Sequence, residues 1–222
     1  MMTQSQTYTA QGRPDQSRRP DVNRKITSIV LAGVGGQGSV LATRVVATAA
    51  ELAGHDVVTS EVHGMAQRGG TVTTTVRYGD EVLSSAIPDG EADFLVAFER
   101  LEAARHLAMV APGGAALVND QRIAPSIEAL RTAGYPADLD ARARDRGVTL
   151  LSYPALRLAR ELGNEKLAST VMLGALANFL FIDRRHWREA IRNTVPSRTV
   201  GANEAAFDTG AEWLVGAPSF SF

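Results

Sequence analysis

Two kinds of hydrophobic pattern share the chain after residue 25: short apolar runs, and longer stretches with apolar residues at helical spacing. Runs of about four to eight apolar residues are typical of buried strands, and a recurrence about every three to four positions is typical of amphipathic helices. Strands are predicted at 26–31, 57–62, 94–98, 115–118 and 148–153, and helices at 40–53, 101–110, 127–132, 137–146, 155–162, 166–181, 184–193 and 204–215. Their alternation predicts an α/β fold.

The order of the elements predicts a layered architecture with one interruption. The first strand, helix and second strand form a unit that is typical of a right-handed crossover. Two β-rich runs follow at 71–78 and 81–87, and Gly79-Asp80 between them predicts a hairpin. The strands are apolar throughout, as in a sheet covered on both faces. We predict a single α/β domain over 26–216: a Rossmann-like three-layer sandwich with a mostly parallel sheet, an inserted β-hairpin and a helical C-terminal third.

Composition is that of one globular domain behind a polar tail. The 222 residues are 45% hydrophobic, which is enough for a full α/β core. Residues 1–25 are rich in Gln, Ser, Thr and Pro and carry five basic and two acidic side chains, so we expect a disordered tail. The net charge of −1 argues against nucleic-acid binding. No apolar run could span a membrane and no secretory signal is visible, so a cytoplasmic location is expected.

The absence of cysteine excludes several kinds of chemistry. Without thiolates the chain has no thiol nucleophile and cannot ligate an ordinary iron–sulfur cluster. The four histidines lack the spacing of a metal site, and neither a Gly-x-Ser-x-Gly elbow nor a Walker motif is present. If this chain takes part in electron transfer, the metal centres belong to another chain.

A glycine-rich turn, Gly33-Val34-Gly35-Gly36-Gln37-Gly38, follows the first strand and opens the first helix. Such a turn lets the backbone approach a ligand, and the helix start favours an anion. We therefore take Gly33, Gly35, Gly36, Gln37 and Gly38 as candidate cofactor-binding residues. Glu61 joins them because a dinucleotide site needs an acidic residue at the end of the second strand. The alternative is that the glycines serve only close packing of helix against strand.

The segment from His63 to Gly70 places His, Met, Gln and Arg between glycines. His63 can exchange a proton near neutral pH, Gln67 can donate and accept hydrogen bonds, and Arg68 can bind a carboxylate or phosphate. These three are the candidate catalytic residues, and a polar turn that caps the sheet is the alternative. The predicted helix at 166–181 also has a face of small residues. That face indicates a core helix and leaves open a seam for a homodimer of the isolated chain.

At these motifs the sequence resembles the gamma-type subunit, or domain, of the 2-oxoacid:acceptor oxidoreductases (the pyruvate and indolepyruvate ferredoxin oxidoreductases). The similarity is highest to the small (beta) subunits of the indolepyruvate branch and covers about residues 26–212. It is carried by the glycine turn, by Ser60-Glu61-Val62-His63-Gly64-Met65-Ala66-Gln67-Arg68-Gly69-Gly70, by Phe98-Glu99, by Pro112-Gly113-Gly114 and by Asn203-Glu204-Ala205-Ala206-Phe207.

The resemblance implies a role in the coenzyme A-dependent oxidative decarboxylation of a 2-oxoacid, with electrons passed to ferredoxin. It places thiamine diphosphate, magnesium and the iron–sulfur clusters on a large partner subunit, with coenzyme A at the interface to this chain. The chain alone is then expected to be inactive, and its 61–70 segment to face the partner or coenzyme A. The competing hypothesis is a free-standing Rossmann-like nucleotide-binding protein, either an NAD-type dehydrogenase or a sensor.

Overall fold

The computed structural model describes residues 26–64, 70–123 and 137–216. The predicted tail at 1–25, the predicted helix at 127–132 and the candidate residues Gln67 and Arg68 lie outside the described residues.

The described residues form a six-stranded sheet with the strand order β2-β3-β1-β4-β5-β6. Strands β1, β4, β5 and β6 are parallel neighbours, whereas β3 runs antiparallel to both β1 and β2. The sheet is therefore mostly parallel, as predicted. The strands are β1 (Ile26–Val34), β2 (Asp56–His63), β3 (Thr71–Gly79), β4 (Ala92–Ala97), β5 (Val110–Asn119) and β6 (Thr149–Tyr153).

Helices follow the strands and fill the C-terminal third of the chain, which confirms the predicted organisation. They are α1 (Ser39–Leu52), α2 (Arg100–His106), α3 (Leu139–Asp145), α4 (Ala155–Glu161), α5 (Ala168–Ala177), α6 (Arg184–Thr194) and α7 (Val200–Gly216). Three of them differ from the predicted bounds by four residues at one end. Helix α2 ends at His106 rather than at 110, and α5 ends at Ala177 rather than at 181. A 3₁₀ turn at Glu165–Leu167 precedes α5, and α7 begins at Val200 rather than at 204.

The predicted pairing of 71–78 with 81–87 is wrong. The second run forms no strand, and its extended chain is held by Arg77, whose Nη1 donates to the carbonyl oxygens of Ser84 (3.0 Å) and Ala86 (2.8 Å). Val82 and Ile87 of this run are buried, whereas Leu83 is 89% exposed, so the run is apolar in sequence without forming a strand. The antiparallel insertion is formed instead by β2 and β3, which residues 64–70 connect in the sequence.

Two apolar layers sandwich the sheet, as the prediction required. Successive residues of β1 alternate between them: Ile29 and Leu31 pack against α1 and the C-terminal helices, and Val30 and Ala32 against α2 and α3. Burial raises the pKa of Tyr78 to about 12, so this core phenol stays protonated near neutral pH and does not act as a base there.

The small-residue face of α5 packs against α7 of the same chain. A side chain on Gly174 would overlap the backbone of Phe207, and one on Gly210 would overlap the backbone of Val171. The close helix approach predicted from the small residues is therefore present. Because α7 covers Gly174, this part of the face is closed to a second copy of the chain.

Candidate functional site at the glycine turn

The glycine turn connects β1 to α1 and needs glycine at two positions. Gly36 has φ 97° and Gly38 has φ 83°, values that other residues rarely adopt. Gly38 is the N-cap of α1, and it offers no side-chain oxygen to the first amides of the helix. The first turn of α1 also carries no acidic residue. The helix start therefore keeps the amide donors and the partial positive charge that an anion would use.

The side chain of Gln37 ties three strand ends together. Its Oε1 accepts from the amide of Val34 (2.8 Å), and its Nε2 donates to the carbonyl of Phe98 (3.0 Å) and to Gln121 Oε1 (3.1 Å). These partners lie at the ends of β1 and β4 and just after β5. A side chain on Gly33 would come within 3.1 Å of both Gln37 and Phe98. Gly33 is thus small because the amide of Gln37 lies against it.

The Gln37 side-chain amide lies between β1 and β4, where the order in which strands are added to the sheet reverses. From β1 the chain moves towards β2 and β3, and from β4 it moves the other way, towards β5 and β6. Open α/β sheets bind ligands in the crevice at this switch point. Asn119 adds to the network there, because its Nδ2 donates to the carbonyl of Phe98 (3.1 Å) and to Gln121 Oε1 (3.1 Å). Neutral amides therefore lie at the switch point of this sheet.

The glycine turn and the β2–β3 loop, residues 64–70, are direct neighbours. The amide of Gly35 donates to the carbonyl of Gly70 (2.9 Å), and the amide of Gly64 donates to the carbonyl of Thr71 (2.8 Å). The structure thus brings together the two motifs on which the sequence interpretation depends. Gln67 and Arg68 belong to the same loop, between its described ends.

Glu61 and His63 lie on one face of the edge strand β2 and contact each other. His63 Nε2 is 2.9 Å from Glu61 Oε1, and both side chains are exposed. Through the strand register, His63 pairs with Val72 and Val72 with Gly33, so His63 is level with the glycine turn.

The position of Glu61 does not fit a dinucleotide site. Strand β3 separates β2 from β1, so Glu61 lies two strand spacings, or about 10 Å, from β1. A dinucleotide domain places its acidic ribose ligand on the strand adjacent to β1. Glu61 therefore faces solvent and His63 rather than the glycine turn.

Glu99 fixes the start of α2 beside the turn. Its Oε2 accepts from the amides of Leu101 (2.6 Å) and Glu102 (3.0 Å), and its Oε1 accepts from the amide of Ile123 (3.1 Å). The residue is 1% exposed. It belongs to the Phe98-Glu99 pair, and the structure assigns it an N-cap role that the sequence pattern did not indicate.

A polar cluster between β3 and α2 was also missed from the sequence. Thr71 and Arg105 both donate to Glu102 Oε1, and His106 Nε2 shares a hydrogen bond with Thr73 Oγ1 (2.9 Å). His106 ends α2, and its side chain is only 16% exposed. The alternating threonines of β3 are the sequence signal of this inward polar face.

Two features are absent from the described residues. These residues contain no group of three or more His, Asp or Glu side chains that could hold a metal ion. None of the helices in the described part of the chain is both long and apolar enough to cross a bilayer.

Comparison with known proteins identifies the family. Residues 28–213 match the family described as pyruvate ferredoxin/flavodoxin oxidoreductase. The chain belongs to this family. The family resemblance noted in the sequence is thereby confirmed.

Two named relatives, each matched over nearly its whole length, extend this result. The chain is 36% identical over 191 residues to the indolepyruvate oxidoreductase subunit IorB of Thermococcus kodakarensis, a match that covers 83% of this chain and 94% of the relative. It is 29% identical over 191 residues to the 2-oxoglutarate synthase subunit KorC of Methanothermobacter marburgensis, with 84% and 96% covered.

Solved structures agree on the fold. The gamma subunit of a keto/oxoacid ferredoxin oxidoreductase from Geobacter sulfurreducens superposes with a TM-score of 0.64 at 25% identity, covering 86% of this chain and 99% of that one. The 2-oxoglutarate:ferredoxin oxidoreductase of Magnetococcus marinus, which holds coenzyme A, has a TM-score of 0.69 at 22% identity. The match covers 89% of this chain and 32% of that longer one.

Proposed function

We propose that this chain is the small subunit of a cytoplasmic 2-oxoacid:ferredoxin oxidoreductase complex. The complex converts an indolepyruvate- or pyruvate-type 2-oxoacid and coenzyme A into an acyl-CoA and carbon dioxide, and it passes the electrons to ferredoxin. One observation carries the proposal: the similarity to named oxidoreductase subunits extends over nearly their whole length, 94% for the indolepyruvate relative.

The donor atoms of this chain support a division of labour with a larger subunit. The sequence contains no cysteine, so the thiolates of any Cys-ligated iron–sulfur cluster must come from elsewhere. We propose that thiamine diphosphate, magnesium and the clusters are held by that larger partner. The partner also passes electrons to ferredoxin, and the present chain completes the site by binding and positioning.

The glycine turn and the β2–β3 loop are the surfaces proposed for this task. The uncapped start of α1 at Gly38 and the exposed backbone of Gly35 and Gly36 support binding of a phosphate-bearing ligand, for which coenzyme A is our candidate. We propose that the loop carrying Gln67 and Arg68, with His63 at its start, faces the partner or this coenzyme A. The hydrogen bond between Gly35 and Gly70 supports a common site.

Reconstitution tests the proposal. The chain should be co-expressed with the thiamine- and cluster-binding subunit from the same source, and viologen reduction measured with indolepyruvate, pyruvate and 2-oxoglutarate in the presence of coenzyme A. We expect 2-oxoacid-dependent reduction by the complex and none by this chain alone. Full activity of the large subunit without this chain would contradict the proposal.

The same assay tests whether the β2–β3 loop contributes to the use of coenzyme A. Arg68→Ala should lower kcat/KM for coenzyme A in the complex while the isolated chain keeps its melting temperature. Arg185→Ala, at an exposed arginine in the first turn of α6, is the matched control and should leave the kinetics unchanged. Equal kinetics for both variants would reduce the loop to a structural turn.

A further inference from the structure

The carboxylate of Glu102 in α2 accepts a hydrogen bond from the residue at which the β2–β3 loop joins β3. Thr71 is the first residue of β3, and its Oγ1 donates to Glu102 Oε1 (3.2 Å). Arg105 Nη1 donates to the same carboxylate oxygen and to Thr71 Oγ1 (3.1 Å). Glu102 is 1% exposed, so these hydrogen bonds are formed at a buried carboxylate. Thr71 also accepts the amide hydrogen of Gly64 at the other end of the loop.

The second oxygen of this carboxylate has no such partner. Glu102 Oε2 is buried and has no hydrogen-bond partner among the residues that the structure describes. His106 Nδ1 is 3.9 Å from it, too far for a hydrogen bond, and lies 2.9 Å from the backbone oxygen of Glu102 instead. A buried carboxylate oxygen without a donor destabilises the folded state. The side-chain hydrogen bonds of this carboxylate are therefore those of Oε1, to Thr71 and Arg105, so its contribution is concentrated at the end of the β2–β3 loop.

We infer that Glu102 is a positioning residue, which holds the C-terminal base of the β2–β3 loop beside the glycine turn. Its effect passes through Thr71. Gly70 immediately precedes Thr71 and accepts the amide hydrogen of Gly35, so a displacement of Thr71 moves the contact between loop and turn. The inference rests on the proposed function for its catalytic consequence, because that function places loop and turn against coenzyme A or the partner.

Amide hydrogen exchange of the full chain tests this tether, the hydrogen bond between Thr71 and Glu102, directly. Thr71→Val removes the hydroxyl, Thr71→Ser keeps it, and Glu102→Met replaces the carboxylate with an apolar group of similar size. We expect about tenfold faster exchange at the amides of residues 64 and 70–72 in the first and third variants, and wild-type exchange in the second. Exchange in the buried strands β1 and β4 should stay unchanged.

The matched control is Thr75→Val. Thr75 lies on the same face of β3, and its hydroxyl donates to the carbonyl of Ser85 (3.1 Å) rather than to α2. This variant should leave exchange at residues 64 and 70–72 as in the wild type. Wild-type exchange there in both Thr71→Val and Glu102→Met would overturn the inference, and so would a uniform rise across the whole sheet.

Kinetics of the reconstituted complex distinguish the positioning role of Glu102 from the function proposed for the loop. Thr71→Val and Glu102→Met should lower kcat several-fold at an unchanged KM for the 2-oxoacid, and Thr71→Ser should restore kcat. Faster loop exchange with an unchanged kcat would leave the positioning role standing and overturn the role proposed for the loop. Unchanged exchange overturns the positioning role whatever the kinetics show.

Discussion

At the residue scale, Gln37 has a different role from the one that its place in a glycine-rich motif suggests. A residue at this position of a nucleotide-binding turn would be expected to face the ligand. In this protein its amide is engaged by Val34, Phe98 and Gln121, so all three of its hydrogen bonds lie within the protein. The amide of Gly35 is also engaged, by the carbonyl of Gly70, so the ligand-binding capacity of the turn is left to the amide of Gly36 and to those of the α1 start.

Replacing Gln37 with leucine should destabilise the fold. The change removes three hydrogen bonds and leaves the amide of Val34 without its side-chain acceptor. An unsatisfied buried group costs about 1–3 kcal/mol, and for a domain of this size each kcal/mol lowers the melting temperature by about 2–4 °C. Gln121→Ala removes one of the three bonds to Gln37 and should cost less. Denaturant titration measures both, and equal midpoints for Gln37→Leu and the wild type would contradict the structural role.

Single residues of the site differ in how far the sequence predicts them. Gly36 and Gly38 are predictable because a turn between strand and helix requires their positive φ values locally. The role of Glu102 cannot be predicted in this way, since an acidic residue in the first turn of a helix is ordinary. Its hydrogen-bond partner Thr71 is distant in sequence. The hydrogen bonds of Gln37 could not be predicted for the same reason, because Phe98 and Gln121 lie far along the sequence, just after β4 and β5.

At the scale of elements, the crossing of α5 and α7 tolerates no side chain at its closest point. Gly174→Ala should cost about 1–3 kcal/mol or more, because its methyl group would overlap the backbone of Phe207.

Gly201→Ala is the matched control for this substitution. Gly201 also lies in α7, but a methyl group there meets nothing within 4 Å. The better helix propensity of alanine should then stabilise the protein by up to about 1 kcal/mol. Thermal unfolding of the two variants measures both effects, and equal melting temperatures would show that the crossing is loose.

Elements were predicted well where burial and periodicity agree, and badly where they do not. Strand β4 is buried along its whole length and was found from its apolar run. The segment at 81–87 has buried apolar positions too, but Arg77 supplies hydrogen bonds to its carbonyls in place of a strand neighbour. Sequence periodicity reports burial and does not report which partner satisfies the backbone.

At the scale of the molecule, the strand order separates this fold from a dinucleotide-binding domain. Strand β3 occupies the position beside β1 that β2 holds in such a domain, and it moves Glu61 to the outer strand. We expect that calorimetry of the isolated chain shows no tight binding of NAD(H) or FMN. Coenzyme A, titrated under the same conditions, distinguishes a preformed site from one completed by the partner. Tight NAD(H) binding would restore the free-standing nucleotide-binding hypothesis.

The insertion of β3 between β1 and β2 also determines the order in which the sheet can assemble on the ribosome. Strand β1 is synthesised first, yet its two neighbours are β3 and β4, which follow only from residue 71 onwards. Until then neither β1 nor β2 can form its pairings in the described sheet, because the two strands are not neighbours in it. The nascent chain therefore carries an apolar strand with both edges open, the kind of segment that aggregates or recruits a chaperone during translation.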